Sequence, residues 1–287
     1  MHDNREHDVC ALLAFYQEAG VDALLGETPV DRLAESPPQQ AAAAGAAGAP
    51  SPGPRKSRTS QPVESVERRA GTLTPPPSPE AAVAAAREAA KAASSLEELR
   101  EMLRRFEGCA LRATATQLVF ADGNPQSRVM FVGEAPGREE DIQGLAFVGR
   151  SGQLLDRMMA SIGLDRKSAY IANIVPWRPP GNRTPTPQES AICVPFILRQ
   201  IELANPDLLV CLGGPAAQTL LSIREGIVKS RGRWFRYQTG TREIRALATF
   251  HPAYLLRQPL QKRLAWRDFL AIKKALAAVQ GALSTAN

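Results

Sequence analysis

The chain has 287 residues, 44% of them hydrophobic, and a formal net charge of +6. This length and composition favour one ordinary domain or two small ones, globular over most of the chain. The four cysteines form no CxxC pair and no short-loop disulfide framework, which indicates a reducing compartment. No apolar run approaches the roughly 20 residues of a membrane helix, so we expect a soluble, cytoplasmic protein without a membrane partner.

The first 79 residues differ in composition from the rest. Residues Asp8 to Leu25 place apolar side chains at helical spacing, so residues 1–34 are predicted to form an N-terminal helix. Residues 35–79 are dominated by Ala, Pro, Gly, Ser and Gln, which cannot bury enough surface to offset chain entropy. They are predicted to be a disordered linker, and residues 80–287 are predicted to form a globular domain.

The globular part alternates predicted strands and helices. It begins with helix formers over Glu80 to Phe106, whose stripe of Leu96, Leu99, Met102 and Leu103 could dock on the rest of the domain. The predicted strands are RVMFVG, AYIANIV, DLLVCLGG and EIRALATF, and the helices between and after them include GQLLDRMMASIG, PQESAICVPFILRQIELA, PAAQTLLS and AWRDFLAIKKALAAV. This order predicts an α/β fold with three α/β/α layers and a mostly parallel central sheet of about four strands.

Three unusual stretches lie directly after the ends of predicted strands, where ligands bind in sheets of this kind. The first is GEAPGREEDIQGLAFVG, in which glycines such as Gly133 and a proline let the backbone turn sharply and approach a ligand, and Glu134 and Glu140 supply carboxylates. A tight turn before a solvated acidic helix start is the alternative interpretation. Phe147 could stack on a base or simply pack in the core. Ser151 opens a helix whose N-terminus could bind an anion.

The second stretch is NIVPWRPPGNRTPTP, which begins at Asn173. An asparagine amide offers one acceptor and two donors, which suits the edge of a nucleobase, although it could equally bond the backbone at a strand end. The stiff, proline-rich loop after it presents Arg178 and Arg183 for contact with phosphates. Alternatively, this segment is only a stiff connection.

The third stretch is FHPAYLLR, which contains His251 and, in order, Tyr254, Leu255, Leu256 and Arg257. A single histidine is often structural, but an apolar wedge beside an arginine is what a protein needs to hold open a duplex around an extruded base. The surrounding residues 224–267 carry eleven Lys or Arg against two Glu, a local net charge of +9. A basic segment of this kind favours a polyanionic partner, or else forms a solvated face.

Together, GEAPG with EED and FVG, NIV with RPPGNRTPTP, and HPAYLLR resemble the uracil-DNA glycosylase superfamily. The likeness is closest to its iron-sulfur branch, family four, and covers about residues 104–280. The resemblance implies that Asn173 hydrogen-bonds uracil, that Phe147 stacks on it, and that His251 lies near its O2 atom. It also implies that Glu140 is associated with the attacking water and that Glu134 lies beside it in the pocket. Ala135 occupies a position that is small in this branch. Leu255 and Leu256 belong to the segment that enters the minor groove.

The sequence departs from this branch at the metal. Cys109 and Cys193 match two of the four cluster cysteines, whereas Phe106 and Trp177 stand at the other two positions. We expect no cofactor, with the two rings filling the volume of a 4Fe-4S cluster; a cluster with unusual ligands is the alternative.

These residues predict a monofunctional uracil-DNA glycosylase that starts base excision repair. Two rival hypotheses are a binding module for damaged DNA that has lost turnover and an α/β enzyme acting on free nucleosides. The expected partner is uracil-containing DNA, and the expected state is a monomer. The N-terminal extension could recruit a repair or replication partner.

Overall fold

The computed structural model describes residues 78–284, so the predicted N-terminal helix and nearly all of the predicted linker lie outside the described residues. The strands are β1 (Asp122–Gly123), β2 (Val129–Gly133), β3 (Tyr170–Asn173), β4 (Leu208–Leu212), β5 (Trp234–Gln238) and β6 (Glu243–Thr249). The helices are α1 (Pro79–Ala92), α2 (Leu96–Arg105), α3 (Leu111–Thr114), α4 (Arg138–Gln143), α5 (Arg150–Ala160), α6 (Pro187–Ala204), α7 (Gly214–Leu221), α8 (Ile227–Ser230), α9 (Pro252–Arg257) and α10 (Lys262–Ser284). None of the described helices is long and apolar enough to cross a membrane.

The strands form one sheet in the order β1-β3-β2-β4-β6-β5. The four predicted strands are its inner strands, and each pairs in parallel with its inner neighbours. The two edge strands, β1 and β5, are antiparallel and were not predicted, so the sheet has six strands rather than four. Strand β1 has only two residues, and β5 lies in the basic segment with two exposed side chains, so neither gives a strong strand pattern.

Helices cover both faces of the sheet, which confirms the predicted α/β fold. Side chains alternate between the faces of a strand, and in β2 Met130 and Val132 point into one core while Val129 and Phe131 point into the other. The first core is covered by α1, α2, α6 and α7, and the second by α5 and α10. The apolar stripe predicted before the sheet docks as expected, since Leu99 and Leu103 are buried in the first core.

The register of the sheet brings the ends of its strands to one edge. Gly133 at the end of β2 lies opposite Asn173 at the end of β3, and Leu212 lies opposite Thr249 at the ends of β4 and β6. The segments that leave these strands therefore start side by side, which is where a parallel sheet binds its ligands.

Asp268 of α10 anchors the segment after β6. Its buried carboxylate accepts a hydrogen bond from the hydroxyl of Thr249, the last residue of β6, at 2.7 Å. It also pairs with two of the three nitrogens of the Arg231 guanidinium, Nε at 2.9 Å and Nη2. Arg231 also donates to the Leu264 carbonyl at 3.0 Å. This buried pair fixes α10 against the strand that leads into His251.

Replacing Asp268 with Ala should therefore lower the free energy of unfolding by about 3–5 kcal/mol, because the Arg231 charge would stay buried without its partner. Urea denaturation measures the change. Glu225→Ala is the matched control: it breaks the half-exposed pair with Arg233 and should cost no more than about 1 kcal/mol. Equal losses in both variants would contradict an anchoring role for Asp268.

Candidate active site

A cavity of about 710 Å³ opens at the ends of the parallel strands. Segments that leave β2, β3, β4 and β6 line it, so the three stretches singled out in the sequence meet in one place. The sequence-predicted residues that line it are Glu134, Ala135, Glu140, Phe147, Ser151, Asn173, Arg183, His251, Tyr254 and Arg257.

The floor of the cavity depends on Gly133, whose missing side chain leaves room for two others. A Cβ atom there would lie 2.5 Å from the Phe147 ring and 2.6 Å from Asn173 Oδ1. No side chain fits in that space without displacing the ring or the amide. Gly133 therefore brings a flat aromatic surface and a polar amide together at one end of the cavity.

Asn173 presents an unpaired polar atom to this space. Its side chain is 4% exposed, and its Oδ1 is one of the few buried side-chain atoms within residues 78–284 that have no hydrogen-bond partner. A buried polar group without a partner costs free energy, and native proteins keep few of them. The amide is therefore poised for a ligand that supplies the missing donor.

Phe147 is held in an uncommon backbone conformation by residues around it. Its φ of 56° lies in the left-handed region, which is strained for a bulky residue. Arg166 fixes the loop by donating to the carbonyls of Ala146 and Phe147, while its guanidinium is paired with Asp122 and Asp156. The Phe147 ring also lies 5.5 Å from the His251 ring, centroid to centroid. The aromatic surface is thus fixed before any ligand binds.

The two candidate carboxylates have different surroundings. Both oxygens of the buried Glu140 accept backbone hydrogen bonds, from Gly137 N–H at 3.0 Å and from Gly149 N–H at 2.9 Å. Glu140 thereby caps α4 and ties it to the start of α5. Glu134 lines the cavity, and its partial burial raises the pKa of its carboxyl group.

His251 is a neutral imidazole with a defined tautomer. Its Nδ1 accepts the Ala253 N–H at 3.1 Å and so caps α9, which leaves Nε2 to carry the proton. Burial, and then the charge of Arg257, lowers the pKa of His251 from 6.5 to about 4. At neutral pH the ring is therefore an uncharged hydrogen-bond donor.

The predicted wedge in α9 is half buried. Leu255 is fully buried and packs with Phe250 and Ala265, whereas Leu256 is 37% exposed. Helical spacing explains the difference, since adjacent residues of a helix point in different directions. Tyr254 packs on Phe250 with 5.0 Å between ring centroids and also lines the cavity. Of the two leucines, only Leu256 stands at the surface.

The predicted phosphate contacts are partly engaged within the protein. Arg183 forms a two-pronged pair with Glu189, at 2.7 and 2.8 Å, which lowers the pKa of Glu189 to about 2. Arg178 donates to Asn182 at 2.7 Å and lies 4.0 Å from Asp141. Only Arg257 of the eleven cations between residues 224 and 267 lines the cavity. The basic segment therefore contributes a single cationic side chain to the cavity.

Three arginines near the cavity were missed in the sequence. Arg138 and Arg150 are exposed residues in the first turns of α4 and α5, and both line the cavity. Their positions directly after glycines in GREE and GRSG are the signal that could have found them. Arg166 gives no such signal, because its partners lie 10 to 44 residues away along the chain.

The cysteines predicted to remain from a metal site lie close together. Cys193 Sγ is 4.0 Å from Cys109 Sγ, and this contact lowers the pKa of Cys109 and, with burial, raises that of Cys193. Trp177 is buried in the same core, and Phe106 packs edge-on against Phe196 at 5.0 Å. Residues 78–284 hold no group of three or more His, Cys, Asp or Glu that could bind a metal ion. Two thiols do not fit a cluster that needs four protein ligands.

The fold and the cavity define an α/β protein with a cavity beyond the ends of its parallel strands, the place where such sheets bind ligands. A family model described as the uracil DNA glycosylase superfamily matches residues 120–270. The chain belongs to the uracil-DNA glycosylase superfamily, which confirms the resemblance in the three stretches.

Its curated relatives include type-4 uracil-DNA glycosylases. The enzyme of Thermotoga maritima is 43% identical over 163 residues, 56% of this chain and 83% of that protein. The enzyme of Archaeoglobus fulgidus is 37% identical over 182 residues, 62% of this chain and 92% of that protein. The enzyme of Sulfurisphaera tokodaii is 36% identical over 185 residues, 63% of this chain and 84% of that protein.

Proposed function

We propose that this uracil-DNA glycosylase flips deoxyuridine out of DNA into the cavity and hydrolyses its N-glycosidic bond without cutting the strand. The unpaired amide of Asn173 is the observation that supports this most strongly. Uracil presents an N–H flanked by two carbonyls, so Oδ1 of Asn173 would accept the N–H while its amide nitrogen donates to a carbonyl. The Phe147 ring beside it offers the face on which the base stacks.

Breaking the bond leaves negative charge on uracil and positive charge on the sugar, and the cavity offers a group for each. The Nε2–H of His251 would donate to uracil O2, where the negative charge develops. As a neutral donor fixed by the Ala253 N–H, it needs no rearrangement during the reaction. Glu134 would stabilise the sugar cation.

The hydrogen bonds favour Glu134 over Glu140 as the group that positions water. Glu140 already binds two backbone N–H groups, whereas the carboxyl group of Glu134 faces the cavity with a raised pKa, as suits a general base. We assign the water to Glu134 and the support of the loop to Glu140. This reverses the roles that the resemblance alone implies.

The DNA-binding surface would surround the cavity mouth. Leu256, which is exposed, would enter the gap left by the flipped base, and Arg257 and Ser151, which line the cavity, would contact phosphates. Arg183 and Arg178 would contribute charge after exchanging an internal partner for phosphate. A monomer suffices for this arrangement.

We further propose that the protein is cytoplasmic and that residues 1–77 recruit a repair or replication partner. The length of this extension and its composition support a tether beside a separately folded domain.

We also propose that the protein works without an iron-sulfur cluster. The resemblance aligns Phe106 and Trp177 with two positions where thiolates would be needed, and both rings belong to the same hydrophobic core as Cys109 and Cys193. Protein purified without oxygen should be colourless and contain no iron or inorganic sulfide by chemical assay. Stoichiometric iron would contradict this proposal.

The role of Asn173 can be tested by Asn173→Asp. The change replaces a donor with an acceptor and puts a charge beside the base, so uracil excision should fall about a hundredfold or more. Single-turnover excision from uracil-containing DNA measures the effect, with Asn124→Asp, in an exposed turn that lines neither cavity, as control. An unchanged rate would place the base elsewhere.

The two carboxylates should respond differently to the same change. Glu134→Gln should lower the excision rate about a hundredfold while the melting temperature stays the same. Glu140→Gln should instead lower the melting temperature, because one of two backbone N–H groups loses its acceptor. Thermal denaturation and single-turnover rates of both variants distinguish the roles. The opposite pattern would return the water to Glu140.

The depressed pKa of His251 sets a pH dependence. Above about pH 5.5 the ring is neutral, so excision should show no step at the ordinary histidine pKa of 6.5. As the pH falls toward 4, protonation of Nδ1 removes the Ala253 hydrogen bond and the rate should drop. NMR titration of His251 and the pH profile of the rate test this. A pKa near 6.5 in both the NMR titration and the rate profile would contradict a neutral His251 at pH 6.

A further inference from the structure

The 710 Å³ cavity at the ends of the parallel strands is called the base cavity from here on. A second cavity, of about 640 Å³, lies at the other end of α4. We name it the arginine cleft after its cations, Arg100 and Arg104 of α2 and Arg112 of α3. Gln117 and Gln143 add amide groups to its wall, and no Asp or Glu lines it. Its chemistry therefore suits an anion.

The charges of the arginine cleft are only weakly neutralised. Arg104 pairs with Glu101 at 3.0 Å, but both side chains are half exposed, and Arg112 lies 3.8 Å from Glu107, which is 85% exposed. Exposed pairs of this kind contribute little. Within residues 78–284, Arg100 has no carboxylate partner at ion-pair distance. The cleft thus keeps a positive potential.

The wall of the cleft is fixed to the active-site scaffold. Arg112 Nε donates to the Arg104 carbonyl at 3.1 Å, which joins α3 to the end of α2. Thr116 binds the Asp141 carboxylate of α4 through its N–H at 2.8 Å and its hydroxyl at 2.9 Å. The base cavity includes the first residues of α4, and the cleft includes its last.

The six residues of α4 span about 9 Å, a length that matches the rise of about three nucleotides at roughly 3.4 Å each. Arg178 lies 4.0 Å from Asp141 of α4, the helix that borders both cavities. If the flipped nucleotide of a DNA strand occupies the base cavity, the nucleotides on one side of it would reach the cleft.

We propose that the arginine cleft binds the phosphates of the DNA strand about three nucleotides from the flipped deoxyuridine. One guanidinium group can donate two parallel hydrogen bonds to the oxygens of a phosphate, so three arginines can bind successive phosphates of a strand. The inference rests on the proposed function for its ligand, and it adds a second contact region outside the base-reading site.

The test compares R100Q/R104Q/R112Q with a control of equal charge, R224Q/R233Q/R236Q, whose exposed arginines line neither cavity. Each is assayed on a pentanucleotide with deoxyuridine at its centre, whose two flanking nucleotides on each side are too few to reach the cleft, and on a duplex of two helical turns. The cleft variant should bind the duplex about tenfold more weakly, and its salt dependence should lose a slope of about 0.9 per missing phosphate contact. Its rate on the pentanucleotide should match that of the unmodified protein.

Equal duplex affinity for the cleft variant and the unmodified protein would overturn the inference and leave uracil excision untouched. An equal loss in the control variant would also overturn it, because only total charge would then matter. If the unmodified protein excised uracil from neither the pentanucleotide nor the duplex, the proposed function itself would be refuted.

The unmodified protein gives a second readout that does not depend on the variants folding. Phenylglyoxal modifies exposed arginines, and mass spectrometry locates the modified sites. The duplex should protect Arg100, Arg104 and Arg112, while the pentanucleotide should not. Full modification of all three in the presence of saturating duplex would overturn the inference, whatever the variants show.

Discussion

The pairing of Gly133 with Asn173 across β2 and β3 is the constraint on which the site depends. Because Gly133 has no side chain, the Phe147 ring and the Asn173 amide both enter the space above it. The ring keeps its place through a strained backbone that Arg166 fixes, and the amide keeps an acceptor without a partner. The strained backbone and the acceptor without a partner both cost free energy in the empty protein. A base that donates to the amide oxygen and covers the ring would recover part of that cost on binding.

Charge is divided between the interior and the rim of the site. His251 is neutral inside the cavity, where a fixed dipole can stabilise a developing anion without first attracting one. Cations stand at the rim, in Arg138, Arg150 and Arg257, where phosphates would pass. Arg231 does not join these cations, because it is paired with the buried Asp268. Asp268 also binds Thr249 at the end of the strand before His251. The same residue type thus lines the cavity in one place and packs in the interior in another.

The sequence was sufficient for the four inner strands, the helices that cover them and the meeting of three stretches at one edge. Local patterns carry that information, since strand ends and glycine-rich turns can be read directly. Partners distant in the chain cannot be read in this way. The two backbone bonds of Glu140, the hold of Arg166 on Phe147 and the pair of Arg183 with Glu189 all depend on how segments pack. Leu255 and Leu256 look alike in sequence, and only the packed helix separates the buried one from the exposed one.

The central claim is that the cavity excises uracil from DNA. Its most direct measurement is the release of free uracil from uracil-containing duplex by the unmodified protein, with abasic sites counted in the same sample. Free uracil and abasic sites should appear in equal amounts, and strands should break only after alkali. DNA that is bound but releases no uracil would contradict the claim and leave a binding module in its place.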